Sequence, residues 1–267
     1  MAAVVGDPVL HSRSPQIHNA AFESCGLNWR FVAVHLDATD PVTPAELMRM
    51  CELGGMSVTM PHKERAMIGL DEASVLAQTL GAANCLVRNG SRIVGHNTDG
   101  LGAILALQRC HGVDVAGRAV MVLGAGGAAR AVIAAVDEAG ASEVVVVNRS
   151  PERAQIAVEC APRSGRVGVS RDLAECEIVI NATSVGMTGI PGCPIEPELL
   201  GSDHMVMDAV YQPQMTELLN LAVARGCRVV PGLAMLVGQA AYAFELWTGV
   251  DAPFDVMAKA AGLNLQS

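Results

Sequence analysis

Residues 118–130, RAVMVLGAGGAAR, read as a buried strand that runs straight into a glycine turn and then a helix. Val120 to Leu123 form a short apolar run, and Gly124, Gly126 and Ala129 follow at G-x-G-x-x-A spacing before a helical stretch to Ala139. The spacing has a chemical reason. The first glycine allows a tight turn, the second lets backbone approach a pyrophosphate, and a small third residue lets the helix pack on the strand. N–H groups at the helix start then face phosphates, so Gly124, Gly126, Gly127 and Ala128 are the candidate contact residues. An ordinary strand-to-helix turn has the same spacing, so the context has to decide.

A second apolar run, Glu143 to Val147, ends in Asn148-Arg149-Ser150, about 20 residues past the glycines, where an NAD-binding unit carries an acid for the ribose 2′-hydroxyl. Here a cation stands in that place. An acid would repel a 2′-phosphate, whereas Arg149 can grip it through a charge-assisted fork and Ser150 can add a hydroxyl donor. The predicted cofactor is therefore NADP. Arg153, one turn further, pairs the phosphate or lies on the adenine in one reading and is a solvated helix-face residue in the other. Asn148 and Thr183, the latter in the loop after an apolar run at 178–182, complete the candidate cofactor residues.

The 267 residues suffice for two domains with sizeable cores, and 51% hydrophobic but only 3% aromatic content gives cores of Val, Ala, Leu and Met. The 13 methionines are then packing residues. A net charge of −9 argues against nucleic-acid or anionic membrane partners and leaves a small-molecule substrate. Eight cysteines are scattered singly with no C-x-x-C, which suggests neither a metal site nor a disulfide framework. They fit reduced thiols in a cytoplasmic protein. The longest uncharged run, Val229 to Phe244, is too short and too rich in Gly, Pro and Gln for a membrane span, and no targeting signal is visible.

Ahead of the nucleotide unit, Ala2 to Val5 reads as a strand, and a loop with His11, Ser12 and Ser14 precedes a helix opened by Pro15. Two hydroxyls and open N–H groups at a helix entrance suit a small carboxylate, and an N-cap role for Ser14 is the competing reading. His18 reads as a helix-face residue. A strand at Met56 to Thr59 ends in Met60-Pro61-His62-Lys63, which places Lys63 in the first turn of a following helix at the C-terminal end of a strand. A cation opposes the dipole there, and a broken local rule hints at function. A solvated surface lysine is the alternative. Residues 81–87 and 92–94 read as two strands around the hairpin turn Asn89-Gly90. The β/α alternation from Arg118 onward implies a parallel, doubly wound sheet. Gln239 is nearly the only polar residue on the long helix predicted from Gly232 to Gly249, and an amide in that setting wants a partner.

Taken in order, HSRSP at 11–15, SVTMPHK at 57–63, GAAN at 81–84, GHNTDGLG at 95–102, GAGGAAR at 124–130, NRSPERA at 148–154, NATSVGM at 181–187, DAVYQP at 208–213 and MLVGQAAYAFELWTG at 235–249 resemble the shikimate dehydrogenase family. The resemblance implies an α/β chain of two domains. One is an N-terminal α/β substrate domain, residues 1–100 plus 233–267; the other is a Rossmann-type NADP domain with a doubly wound parallel sheet, residues 101–232. It implies reversible reduction of 3-dehydroshikimate to shikimate with NADPH. Residue by residue, Ser12 and Ser14 would hold the substrate carboxylate. Ser57, Thr59, Asn84, Asp99 and Gln239 would face the ring hydroxyls, with Tyr211 close by. Lys63 and Asp99 would be the catalytic pair, and Gly232 would meet the nicotinamide amide through its backbone. A hydride that reaches a ketone carbon leaves negative charge on oxygen, so a proton donor such as Lys63 is needed there.

Ser57 departs from the family pattern N-V-T-x-P-H-K, in which an asparagine stands at that position. Relatives in the family act on quinate or aminated analogues, and those remain the alternatives within the enzyme reading. A non-catalytic NADP-binding sensor is the alternative outside it, and retention of both Lys63 and Asp99 speaks against that. Monomer and homodimer are both compatible with the sequence.

Overall fold

The structure, a computed structural model, describes residues 1–264. It contains two compact units, one formed by Met1–Thr98 with Gln239–Asn264 and the other by residues 99–238. The chain passes from one unit to the other between Thr98 and Asp99 and again between Gly238 and Gln239, the second time inside an unbroken helix.

The first unit holds β1 (Ala2–Gly6), α1 (Ser14–Ser24), β2 (Phe31–His35), α2 (Pro44–Met50), β3 (Gly55–Val58), β4 (Glu72–Ala73), α3 (Val75–Leu80), β5 (Cys85–Asn89) and β6 (Arg92–His96). Its sheet runs β2-β1-β3-β5-β6-β4. β1 is parallel to β2 and β3, while β5 is antiparallel to β3 and β6. β1 is buried along its whole length, as its unbroken apolar sequence AAVVG requires. Thr43 and Glu46 close a capping box on α2, and the β5–β6 turn uses Gly90 at φ 63°. Residues 81–84 are not strand. Ser74 caps α3, and Gly81 ends it in the left-handed region, so Asn84 stands just before β5.

The second unit starts at α4 (Asp99–His111) and continues through β7 (Ala119–Leu123), α5 (Gly127–Glu138), β8 (Glu143–Val147), α6 (Pro151–Val158), β9 (Gly165–Val167), β10 (Ile178–Asn181), β11 (Met205–Asp208), α7 (Glu217–Ala224) and β12 (Arg228–Val230). All six strands are parallel, in the order β12-β11-β10-β7-β8-β9. The order reverses between β7 and β10, and open parallel sheets bind ligands at the C-terminal ends of strands beside such a reversal. A Cβ on Gly100 would lie 2.1 Å from the Ala131 carbonyl oxygen, so α4 and α5 pack backbone to backbone there.

α8 (Gly232–Thr248) is followed by α9 (Phe254–Ala261), and from Gln239 onward these residues belong to the first unit. Trp247 lies over Gly55, where a Cβ would come within 2.5 Å of the indole, and its Nε1 donates to the Leu86 carbonyl at 3.0 Å. His18 lies on the buried face of α1. It is fully buried, with its ring centroid 4.4 Å from that of Phe31 and 4.9 Å from that of Trp247, and neither ring nitrogen has a hydrogen-bond partner among the described residues.

Burial pushes the His18 imidazole down from 6.5 to about 3, so between those values the unfolded chain binds a proton that the folded chain refuses. Stability therefore falls as pH drops through 6.5. His18→Phe removes that linkage, and its stability relative to the parent is expected to improve by roughly 2 kcal/mol between pH 8 and pH 5. Urea melts at the two pH values measure this, and a pH-independent difference would refute it.

Candidate active site

In the first unit, the entrance of α1 carries the two serines of HSRSP. The Ser12 hydroxyl oxygen accepts the Ser14 N–H at 3.2 Å, and the N-cap position is Arg13, whose side chain caps nothing. Ser14 is therefore not the cap. It is buried, and its hydroxyl makes no hydrogen bond among the described residues. Ser57 lies in β3 with Val4 of β1 and Cys85 of β5 as its register partners, and its Oγ is buried with no partner. Thr59 follows at the strand end. Its N–H donates to Val5 O at 2.9 Å, its methyl fills the space a Cβ on Gly6 would take, and its hydroxyl is unbonded among the described residues.

Asn84 is held in place by the loop after β6. Its Oδ1 accepts the Thr98 N–H at 2.7 Å and its Nδ2 donates to Thr98 Oγ1 at 3.1 Å. Thr98 Oγ1 in turn donates to the Gln239 carbonyl at 3.2 Å, which ties the Asn84 turn to α8. Gln239 itself is half-buried.

Lys63 does not sit in the first turn of a helix. The chain after β3 makes a turn and then a three-residue 3-10 segment, Arg65–Met67, so the helix-dipole reason for singling out Lys63 does not apply. What positions it is His62, which sequence reasoning passed over. His62 is fully buried; its Nε2 bonds the Leu36 carbonyl at 2.7 Å, and Arg65 reaches its Nδ1 at 3.3 Å. Held at both nitrogens, the ring is fixed in place. The Lys63 carbonyl accepts the Ala83 N–H at 2.9 Å, which links the lysine turn to the residue before Asn84. His96 is half-buried, and desolvation holds its imidazole below the ordinary range.

In the second unit, Asp99 is buried in the first turn of α4. Gly124 has φ 114°, and a Cβ there would come within 3.1 Å of the Ala182 carbonyl oxygen, so both conformation and space call for glycine. Gly126 and Gly127 border open space, and Gly126 is the N-cap of α5 with no side chain closing the helix end. The first amides of α5, those of Gly127 and Ala128 included, are left for an anion. After β8, Asn148 Nδ2 donates to the Ser150 carbonyl at 3.0 Å, and Ser150 Oγ caps α6 by accepting the Arg153 N–H at 3.3 Å. The Ser150 hydroxyl proton goes to Glu152 Oε2 at 2.7 Å. The guanidinium groups of Arg149 and Arg153 are exposed and make no bond among the described residues.

Thr183 belongs to a network not foreseen from sequence. Asn181 Oδ1 accepts both the N–H and the hydroxyl of Thr183, at 3.0 and 2.7 Å, and Asn181 Nδ2 donates to Asp208 Oδ1 at 2.8 Å. Asp208 also accepts Val210 N–H at 3.0 Å and Thr216 Oγ1 at 2.6 Å. Burial pushes the Asp208 carboxyl up, and these donors oppose the shift. The network fixes the loops that follow β10 and β11, including the turn with half-buried Tyr211. Gly232 closes the group, because a Cβ there would lie 2.4 Å from the Val210 carbonyl oxygen. Asn181 and Asp208 are polar residues ending apolar strands, which is the signal sequence offered. Among the described residues no His, Cys, Asp and Glu group is arranged to hold a metal ion, and no helix is long and apolar enough to cross a membrane.

Comparison with known proteins matches the chain to the shikimate dehydrogenase substrate binding domain over residues 4–86, to shikimate / quinate 5-dehydrogenase over 105–190, and to the shikimate 5′-dehydrogenase C-terminal domain over 232–261. The shikimate dehydrogenase (NADP(+)) of Methanothrix thermoacetophila is 42% identical over 261 residues, which cover 96% of this chain and 94% of the relative. The shikimate 5-dehydrogenase of Thermus thermophilus, solved in complex with NADP(H) and shikimate, superposes with a TM-score of 0.90 at 38% identity, covering 98% of each chain. The quinate dehydrogenase of Corynebacterium glutamicum, solved with NAD, gives 0.87 at 28% identity and 97% coverage of both.

Thr216→Val keeps the shape of the side chain but removes a bond to the buried Asp208 and the N-cap of α7. A loss of about 2–4 kcal/mol is expected from a charged hydrogen bond and a cap together. Urea unfolding checks it, and a loss under about 0.5 kcal/mol would show the network to be dispensable.

Proposed function

The chain belongs to the shikimate dehydrogenase family, and we propose that it catalyses the reversible NADPH-dependent reduction of 3-dehydroshikimate to shikimate. The observation that carries this reading is the buried Ser57 hydroxyl, which makes no hydrogen bond among the described residues, together with the unbonded Ser14 hydroxyl at the entrance of α1. Buried donors without partners are costly unless a ligand completes them. A polyhydroxylated ring with a carboxylate is such a ligand.

The second unit fits NADP. An uncapped helix start beyond an open glycine turn accepts a pyrophosphate, and the guanidiniums of Arg149 and Arg153, unpaired among the described residues, accept a 2′-phosphate. The cofactor, when bound, supplies hydride chemistry. Gly124, Gly126, Gly127, Ala128, Asn148, Ser150, Thr183 and Gly232 shape its seat. Ser12 and Ser14 hold the substrate carboxylate; Ser57, Thr59, Asn84, Tyr211 and Gln239 bind and orient the ring hydroxyls. Lys63 meets the charge that builds on the carbonyl oxygen, by giving its proton or by its positive charge alone, and Asp99 orients the ammonium and the neighbouring hydroxyl. The substrate domain is residues 1–100 plus 233–267 and the NADP domain residues 101–232. We propose further a cytoplasmic monomer or homodimer without nucleic-acid or membrane partners, in keeping with the net charge of −9.

Ser57, in place of an asparagine, leaves open one second reading within the family, a quinate or aminoshikimate dehydrogenase. Quinate carries an extra hydroxyl on the carbon that bears the carboxylate, so discrimination rests on room around Ser12 and Ser14, both retained. Shikimate is therefore expected to be the better substrate. NADP⁺ reduction with shikimate and quinate side by side tests this, and a kcat/KM for quinate equal to or above that for shikimate would move the chain to the second reading. Lys63→Ala is expected to lower kcat by roughly 10²–10⁴-fold with little change in KM. A raised KM with near-normal kcat would make Lys63 a binding residue only.

A further inference from the structure

The turn that opens α6 contains a competitor for the anion it is read to bind. Ser150 has one hydroxyl proton, and it is donated to Glu152 at 2.7 Å, while the Ser150 oxygen accepts the Arg153 N–H. The Asn148 amide is turned onto the Ser150 carbonyl. Glu152 is exposed and, among the described residues, pairs with neither Arg149 nor Arg153; its carboxylate takes the Ser150 hydroxyl and its own backbone N–H. Among the described residues, the turn thus carries two unpaired cations and one carboxylate that neither of them neutralises.

We propose that Glu152 sets the strength and selectivity of the 2′-phosphate subsite, by holding the Ser150 hydroxyl and by placing a negative charge beside the incoming phosphate. The proposal rests on the reading of this turn as the NADP-specific one. A 2′-phosphate brings about −1.5 to −2 charges. To bond it, Ser150 must turn its proton away from Glu152, which leaves that carboxylate with its own backbone N–H alone and next to a second anion. NAD presents a neutral hydroxyl at the same place and meets neither penalty. Glu152 therefore lowers affinity for NADP specifically. The acid is tolerated because it lies in the first turn of α6, where the helix dipole favours negative charge. The Ser150 bond holds its carboxyl below the usual range, so it is ionised at neutral pH.

The test is the dissociation constant of the full-length protein for NADP⁺ and NAD⁺, by calorimetry, in the parent, Glu152→Gln and Arg149→Ala. Glu152→Gln is expected to tighten NADP⁺ by roughly three- to tenfold and leave NAD⁺ unchanged, with the gain shrinking at high salt, as exposed charges require. Arg149→Ala is expected to weaken NADP⁺ alone by about 10–150-fold. If Arg149→Ala weakens both cofactors equally, the turn does not read a phosphate and the cofactor reading fails. If Arg149→Ala is selective but Glu152→Gln leaves NADP⁺ binding unchanged or weaker, the proposal alone is overturned, and Glu152 is a helix-end acid whose loss shows as a lowered Tm. Equal tightening of both cofactors would overturn it as well.

Discussion

A polar group taken out of water must find a partner inside the protein or keep one waiting outside it, and that constraint divides the side chains of this molecule by purpose. Asp208 is fully buried and meets three donors; Asn181, beside it, uses both ends of its amide. His62 is satisfied at both nitrogens, and Asn84 is locked to Thr98. These groups stiffen turns at the ends of strands. Ser14 and Ser57 are also buried, yet among the described residues their hydroxyls bond nothing. His18 shows that an orphaned group is not by itself a site. Its neighbours are the rings of Phe22, Phe31 and Trp247, which offer no polar ligand a place, so its cost falls on stability alone.

Close approach of backbone is the second constraint, and it separates glycines that pack from glycines that leave room. Gly55, Gly100 and Gly232 each face an indole or a carbonyl at a distance no side chain could share. Gly126 and Gly127 face nothing within 4 Å. Open space at the start of a helix whose cap has no side chain is what an approaching phosphate needs, and the adjoining Gly124 supplies the left-handed turn that makes it.

The nucleotide unit was the most legible part of the sequence because its strands are buried on both faces. The runs at Val120 to Leu123, Glu143 to Val147 and Ile178 to Ala182 each match a strand of the parallel sheet within a residue or two. Short elements carried no such signal. β4 is two residues long, and pairing with Val94 and Gly95 alone makes it a strand. The turn after Pro61 resembled a helix start, but the backbone bonds there mostly close short turns, and His62 anchors it to a carbonyl 26 positions away. Separation also hid the Asn181–Asp208 pair, which lie 27 residues apart in sequence and side by side in adjacent strands. Ser150 was legible as a donor near a phosphate; that Glu152 holds its proton was not, because the contact depends on how the first turn of α6 folds back.

The division of polar groups is tested most directly by a crystal structure of this protein with shikimate and NADP⁺ bound. The hydroxyls of Ser14 and Ser57 are expected within about 2.5–3.0 Å of oxygen atoms of the substrate, with no rearrangement of Asn84 or Thr98. Shikimate seated elsewhere, with both hydroxyls still unbonded, would contradict the assignment of those two serines to the substrate.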